Sequence, residues 1–320
     1  SIYEPQFSES SFGFRPKRGA HDALKQCQRY ANEGYLYVVD MDLEKFFDTV
    51  CQSKLIEVVS RSIKDGEVIS LIHKYLNAGI VRQGIFERSE QGVPQGGPLS
   101  PLLSNIMLNE LDKELEKRGH KFVRYADDCM ILCKSRRSAE RTKASITRYI
   151  EGKLFLKVNG EKTSVSHISQ VKYLGYGFYR YKGECRLKVH KKSIAKMKER
   201  LRAITNRSRA ISKEARAVIL SRFVKGWVNY FKLADMKKML QVTDEWLRRK
   251  IRAIYWKQWK KVRTKFAALR KLGLDDKVAW KWANTRKSYW HTANSWILST
   301  SLTNGRLREL GWTCLGDVYK

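Results

Sequence analysis

The chain has 320 residues, enough for a sizeable core and two or three subdomains. Its 64 Lys and Arg against 32 Asp and Glu leave a formal charge of +32, a self-repulsion that a polyanion relieves, with nucleic acid the first candidate. A composition of 42% hydrophobic and 11% aromatic residues excludes a disordered basic tail, and no apolar run has the length of a membrane span.

Six cysteines, at 27, 51, 129, 133, 185 and 314, form no CxxC pair and read as free thiols of a reducing cytosol. The sequence opens on an irregular stretch, Ser1-Ile2-Tyr3-Glu4-Pro5-Gln6-Phe7, without a methionine, so an upstream portion is expected. Ser10-Ser11-Phe12-Gly13-Phe14-Arg15-Pro16-Lys17-Arg18-Gly19 follows, a Gly- and Pro-broken basic loop that precedes a helix over 20–32. Its cations Arg15, Lys17 and Arg18 are candidate phosphate contacts, as in many basic loops ahead of helices.

Residues 35–43, Tyr-Leu-Tyr-Val-Val-Asp-Met-Asp-Leu, read as a buried strand carrying acids at 40 and 42. Alternation along a strand points Asp40 and Asp42 the same way, and a carboxylate there is costly unless paired or metal-bound. Helical spacing covers 52–79, a short hairpin is expected over 81–90, and Gln91-Gly-Val-Pro-Gln-Gly-Gly-Pro-Leu-Ser100 is too rich in Gly and Pro for regular structure. Ser100-Pro101 reads as a helix start, with Ser as N-cap and a helix running to Gly119.

Phe122-Val-Arg-Tyr-Ala-Asp-Asp-Cys-Met-Ile-Leu-Cys133 has two apolar β-prone runs flanking a tight Ala-Asp-Asp corner. Adjacent carboxylates at such a tip suit a hard divalent cation, although Asp also favours turns for its own hydrogen bonds. A helix over 135–152 follows, then strands over 163–168 and 171–181, in which Gly175 and Gly177 mark a strand that another group approaches closely.

Near residue 188 the composition shifts: residues 191–290 hold 30 Lys and Arg against 7 Asp and Glu, at helical spacing. All nine tryptophans lie at 227 or later, read mainly as helix core with basic residues on the exposed faces to track a phosphate backbone.

Asp42-Leu-Glu-Lys-Phe-Phe-Asp48, Pro94-Gln-Gly-Gly-Pro-Leu-Ser-Pro101 and Tyr125-Ala-Asp-Asp128 resemble the three palm motifs of reverse transcriptases. Ser11-Phe-Gly-Phe-Arg-Pro16, Lys157-Val-Asn159 with Lys162-Thr163, and Lys172-Tyr-Leu-Gly-Tyr-Gly-Phe178 narrow the resemblance to group II intron-encoded proteins. Gly226-Trp-Val-Asn-Tyr-Phe231 is similar to their maturase or thumb domain. The resemblance implies an α+β fold, a palm with partial fingers followed by an α-helical thumb. It divides the chain into a fingers segment over 1–34, palm over 35–187, thumb/maturase over 188–290 and a tail over 291–320.

The resemblance also implies site residues. Asp42, Asp127 and Asp128 would ligate two Mg²⁺ ions, with Mn²⁺ as an alternative. Leu43, Phe46, Phe47, Pro94, Gln95, Gly96 and Lys162 would surround the nucleotide, with Phe47, or alternatively Phe46, as the steric gate against a ribose 2′-hydroxyl. Tyr173, Leu174, Gly175 and Tyr176 would grip the primer. Lys191, Lys192, Lys225, Trp227, Arg248, Arg249 and Lys257 would contact nucleic acid in the thumb. The implied partners are an RNA template, a DNA or RNA primer, dNTPs and group II intron RNA, in a bacterial cytoplasm and without a membrane.

In the family a Lys and an Arg in an N-terminal extension cup the triphosphate; their counterparts are not found in these residues. Residues 291–320 show no HNH-type endonuclease with paired cysteines, as in members that lack that domain. The leading reading is therefore an RNA-directed DNA polymerase that assists intron splicing. Against it stands an RNA-binding maturase that does not polymerise, which the three acids argue against. An RNA-directed RNA polymerase is disfavoured by Ala126 and by the bulky Phe after Asp42.

Overall fold

The computed structural model describes residues 2–82, 85–87, 91–94 and 96–319. The chain divides into two compact units, Ser1–Leu187 and Lys188–Lys320. The first unit begins with a loop and α1 (Ala20–Asn32), whose apolar face buries Leu24, Cys27 and Tyr30. Strand β1 (Tyr37–Met41) leads through the single helical turn α2 (Phe46–Thr49) to α3 (Gln52–Ser62) and α4 (Gly66–Leu76). The helical spacing over 52–79 is thus two helices, because Asp65 caps the second, accepting from the backbone N–H of Glu67 and Val68.

A short hairpin, β2 (Ile80–Arg82) and β3 (Ile85–Glu87), precedes α5 (Ser100–Lys117). The cap of α5 departs from expectation. Leu99 occupies that position, and the Ser100 hydroxyl donates instead to the Pro94 carbonyl at 2.5 Å. This bond closes the Gly-rich loop back on itself.

Strands β4 (Lys121–Tyr125) and β5 (Asp128–Cys133) form the expected hairpin, followed by α6 (Arg136–Lys153) and β6 (Ser164–His167). The antiparallel sheet has the order β4-β5-β1-β6. Val39 and Met41 of β1, Ile131 of β5, Ile106 and Met107 of α5, and Ile146 and Ile150 of α6 share one apolar core. Alternation therefore sends Asp40 and Asp42 to the opposite face of the sheet.

The stretch expected as one strand over 171–181 is a hairpin, β7 (Lys172–Tyr173) and β8 (Tyr176–Tyr181), turning at Leu174 (φ 48°) and Gly175 (φ 83°). Gly175 is needed at the turn, where positive φ costs it little. Strand β9 (Glu184–Val189), which hydrophobic spacing alone did not reveal, completes a three-stranded sheet in the order β7-β8-β9.

The second unit is helical: α7 (Lys191–Ile204), α8 (Lys213–Phe231), α9 (Lys237–Gln258), α10 (Val262–Lys271), α11 (Asp276–Ala283), α12 (Tyr289–Thr292), α13 (Trp296–Ser301), α14 (Asn304–Glu309) and α15 (Leu315–Val318). Asp244 of α9 accepts from the N–H of Leu315 and Gly316, and Trp312 donates its indole N–H to the Tyr255 hydroxyl, so the last residues are fastened to α9. The tryptophans are less of a core than their spacing implied. Trp256, Trp259 and Trp312 are buried, whereas Trp280, Trp290 and Trp296 are exposed. Among the described residues no helix is long and apolar enough to cross a membrane, and the six cysteines are free.

An arginine inside an apolar strand ties the first unit together. Arg124 of β4 is fully buried; it donates to both carboxylate oxygens of Asp112 (2.8 and 2.5 Å), to the Asn105 side-chain oxygen (3.0 Å) and to the Ala126 carbonyl (2.9 Å). Removing one partner strands the other charge without water, at about 3–5 kcal/mol. Arg124→Met should therefore lower stability by that amount in denaturant titration. Arg124→Met combined with Asp112→Leu should recover most of the loss, and additive losses would contradict this reading.

Candidate active site

The site is built where β1, the β4–β5 hairpin and the loop after α6 meet. The β1–β5 register pairs Asp40 with Met130 and Met41 with Cys129, so one further step sets Asp42 beside Asp128. The closing pair of the hairpin is Tyr125 with Asp128, which leaves Ala126 and Asp127 as its two-residue tip. Ala126 adopts φ 56°, a left-handed conformation that a residue with a Cβ takes only under constraint.

Two features supply that constraint. The Ala126 carbonyl accepts from Arg124 as described, and the loop Ser11-Phe12-Gly13 lies along β4, with the Phe12 N–H donating to the Arg124 carbonyl. Gly13 packs so closely that a Cβ there would sit 2.2 Å from the Ala126 nitrogen. Its carbonyl accepts from the Asn105 side chain at 2.9 Å. Ser11-Phe12-Gly13 is therefore a brace for the Asp-Asp tip.

Arg15, expected to meet phosphate, serves the same brace. It is buried, ion-paired with Glu4 at 2.8 Å, and donates to the carbonyls of Ser8 and Ser11. A guanidinium so enclosed has no face left for a nucleic acid, which corrects that expectation. Arg18 pairs with Glu9 and lies over Phe12, so Lys17 is the exposed cation of the loop.

Asp42 is held by its backbone. Its N–H donates to the Thr163 hydroxyl at 3.1 Å, its carbonyl accepts from the Asn159 N–H at 2.9 Å, and the Glu44 N–H donates to the Lys157 carbonyl at 2.8 Å. The Lys143 ammonium donates in turn to the Thr163 carbonyl. Lys162 brings its ammonium within 3.9 Å of the Asp42 carboxylate.

Together these segments enclose an open cleft of about 860 Å³, walled by residues 42–47, Asp127 and residues 157–162. Leu43, Phe46, Phe47 and Lys162 line it with Asp42 and Asp127. Phe46 is buried and meets Phe47 edge to face at 5.3 Å, leaving Phe47 the more accessible ring.

Other expected residues lie off these walls. Pro94 is half-buried and Gly96 exposed; Gln95 lies outside the described residues. Gly92 and Val93 donate their N–H groups to Val50 and Phe47, which anchors that loop to the segment after Asp42. Tyr173 and Tyr176 are buried beneath the β7–β8 turn, so its reachable part is Leu174 and Gly175.

In the second unit Lys191, Lys192 and Lys225 are exposed, while Trp227 and Arg248 are half-buried. Trp227 packs on Phe231 at 4.6 Å. Arg249 stacks on Trp290 and donates to its carbonyl, and Lys257 donates to the Ser208 hydroxyl.

The acids repel one another. Loss of hydration and the charges of Asp127 and Asp42 raise the Asp128 pKa, although the side chain keeps much of its surface open to water, and Lys172 opposes the shift. Asp40 is pushed up to about 6 by burial, then by Asp128 and Asp42. Among the described residues no three His, Cys, Asp or Glu side chains are gathered as a ready-made metal cage. The donor set is nonetheless all carboxylate oxygen, under mutual repulsion that a hard divalent cation relieves.

Sequence reasoning missed Thr163 and Arg124 as supports. The signal for Arg124 was its place between Val123 and Tyr125 in an apolar strand, where a charge demands a buried partner.

A split antiparallel sheet with acids at a strand end and at a hairpin tip, followed by a basic helical unit, has the architecture of a nucleic-acid polymerase core with an appended helical binding unit. Residues 1–178 match the model for reverse transcriptase (RNA-dependent DNA polymerase), and residues 194–273 the model for the group II intron maturase-specific domain. The chain belongs to the reverse transcriptase family, and its helical unit matches the group II intron maturase-specific domain.

It is similar to protein YkfC of Escherichia coli (strain K12), at 32% identity over 52% of this chain and 54% of that one. It is also similar to the group II intron-encoded protein LtrA of Lactococcus lactis subsp. cremoris, at 31% identity over 55% of this chain and 40% of that one. The chain thus spans about half or less of the length of these two relatives.

Asp40 provides a test of the electrostatics in metal-free buffer. A raised carboxyl pKa means that its contribution to stability is fully present below the unfolded value of 3.8 and lost as pH rises through about 6. Asp40→Asn, which does not ionise, should melt above the parent at pH 8, the difference vanishing towards pH 4. A difference that does not change with pH would contradict the assignment.

Proposed function

We propose that the chain is an RNA-directed DNA polymerase of the group II intron type that also binds intron RNA through its helical unit. The observation that carries the reading is that Asp42 and Asp127 line one cleft, with Asp128 close enough to feel both their charges, in residues that match the reverse transcriptase model. The proposed partners are an RNA template, a DNA or RNA primer, dNTPs and intron RNA, in the bacterial cytoplasm as a nucleoid- or ribonucleoprotein-associated protein.

In this reading Asp42, Asp127 and Asp128 hold two Mg²⁺ ions, with Mn²⁺ as an alternative. Such ions lower the pKa of a primer 3′-hydroxyl and neutralise the charge developing on the transferred phosphoryl. The remaining work belongs to the chain. Lys162 stands over the cleft as a cation for the triphosphate, and Phe47 presents its ring where a ribose 2′-hydroxyl would collide. Leu43 and Phe46 floor the nucleotide position, Pro94, Gln95 and Gly96 flank the nascent pair, and the Leu174–Gly175 turn supports the primer end between Tyr173 and Tyr176. No side-chain nucleophile is needed, because phosphoryl transfer depends on positioning and charge compensation.

The match of residues 194–273 to the maturase-specific domain supports the intron RNA role. Lys17, Lys191, Lys192 and Lys225 are exposed cations for phosphate, and Trp227, Arg248, Arg249 and Lys257 are half-buried. A maturase without polymerase activity is the reading to be separated from this one.

Primer extension on an RNA template separates them. The unaltered chain should extend, and Asp127→Asn should lose at least about a hundredfold in rate while keeping RNA affinity, since a ligand's loss exceeds that of its supporting partners. Full activity in Asp127→Asn would overturn the metal assignment, and RNA binding without extension by the unaltered chain would leave the maturase reading.

Phe47→Ala should admit ribonucleotides, measured as the ratio of dNTP to NTP incorporation. An unchanged ratio would move the gate to Phe46.

A further inference from the structure

The second unit contains a cleft of about 540 Å³ that the polymerase chemistry does not use. Its walls come from the end of α7 and the turn after it, from α9, and from the start of α12, with Arg202, Arg207, Ser208, Lys250 and Trp290 among the lining residues. Among the described residues none of the three cations Arg202, Arg207 and Lys250 is ion-paired with a carboxylate, and no acid lines the cleft. Gathering like charges around one concavity is costly unless a polyanion fills it. The Lys250 ammonium is accordingly driven down in pKa by burial and by Arg202 and Arg207.

The aromatic surroundings are as specific as the charge. Arg202 and Lys250 lie over Trp246 at 5.9 and 5.3 Å, Arg207 over Tyr289 at 5.2 Å, and Arg249 over Trp290 at 3.8 Å. Tyr289 and Trp290 remain exposed despite these neighbours.

The turn is also pre-shaped. Buried Arg216 of α8 donates to the carbonyls of Ile204, Asn206 and Arg209, and Lys257 donates to the Ser208 hydroxyl. A concave, braced site with unpaired cations beside exposed rings matches the needs of a nucleotide, phosphate on the charges and base against an aromatic face. Tyr289 and Trp290 lie beyond the 194–273 maturase match, so this wall is not part of what that match covers.

We propose that the Arg202–Arg207–Lys250 cleft, walled by Trp290 and with Tyr289 beside Arg207, binds an unpaired nucleotide of single-stranded RNA. The inference rests on the proposed RNA-binding role of the helical unit and names where one unstacked residue of that RNA is held.

The test uses the whole chain and a short unstructured RNA, with affinity measured across a salt series. Arg202→Gln with Lys250→Gln should weaken binding about tenfold and flatten the log–log salt slope by about 0.7 for each phosphate no longer neutralised. Trp290→Leu should weaken binding about tenfold with the slope unchanged, because it removes stacking and no charge. Lys250→Arg should retain affinity; if it weakens binding as much as Lys250→Gln, the effect is on folding and the assignment falls.

Photocross-linking of a thiouridine-bearing version should place adducts on Tyr289, Trp290 or Trp246, and adducts confined to other segments would overturn the proposal. Binding by the unaltered chain that survives all the substitutions within about twofold sinks the cleft alone. Failure of the unaltered chain to bind RNA sinks the wider reading with it.

Discussion

The buried guanidinium of Arg124 is the interaction on which the first unit depends. It joins a helix, through Asp112 and Asn105, to the carbonyl of Ala126 at the tip of the acidic hairpin. The tip needs such support, since it combines a left-handed alanine with two carboxylates that repel each other and Asp42. A charge sealed from water holds its partners to one geometry, because any alternative leaves it unpaired. Gly13 brings the N-terminal loop against the same tip, so the hairpin is fixed from two sides.

The opposing acid is fixed by a different device. Asp42 lies just past the end of β1, where ladder hydrogen bonds run out, and the Asn159–Thr163 loop replaces them. Side chains on the hairpin and the strand end are thereby left free to face the cleft while their backbones are held. This is the arrangement expected of a site whose ligands must be positioned before a cation and substrate arrive.

Much of this was legible in the sequence because it depends on local signals. The alternating run before Asp42, the Ala-Asp-Asp corner and the Gly-Pro loop each announce their own geometry. What spacing could not show were the long-range pairings. Arg15 looks like a cation of a nucleic-acid binder, yet Glu4 encloses it, and the apolar strand around Arg124 calls for a buried partner without naming Asp112. Ser100 looked like a helix cap until Pro94 offered its carbonyl. The 171–181 strand proved a hairpin because Leu174 accepts positive φ beside Gly175, which no periodicity reports. In the helical unit, tryptophans at helical spacing looked like core, whereas Trp280, Trp290 and Trp296 stand exposed, Trp290 beside Arg249 and Lys250.

The most direct measurement is Mn²⁺ binding followed by electron paramagnetic resonance, with an RNA template, primer and dNTP present. Bound Mn²⁺ is expected in the unaltered chain, displaced by Mg²⁺ and strongly diminished in both Asp42→Asn and Asp128→Asn. A bound-metal signal indifferent to both substitutions would contradict the claim that the strand end and the hairpin tip form one metal-holding site.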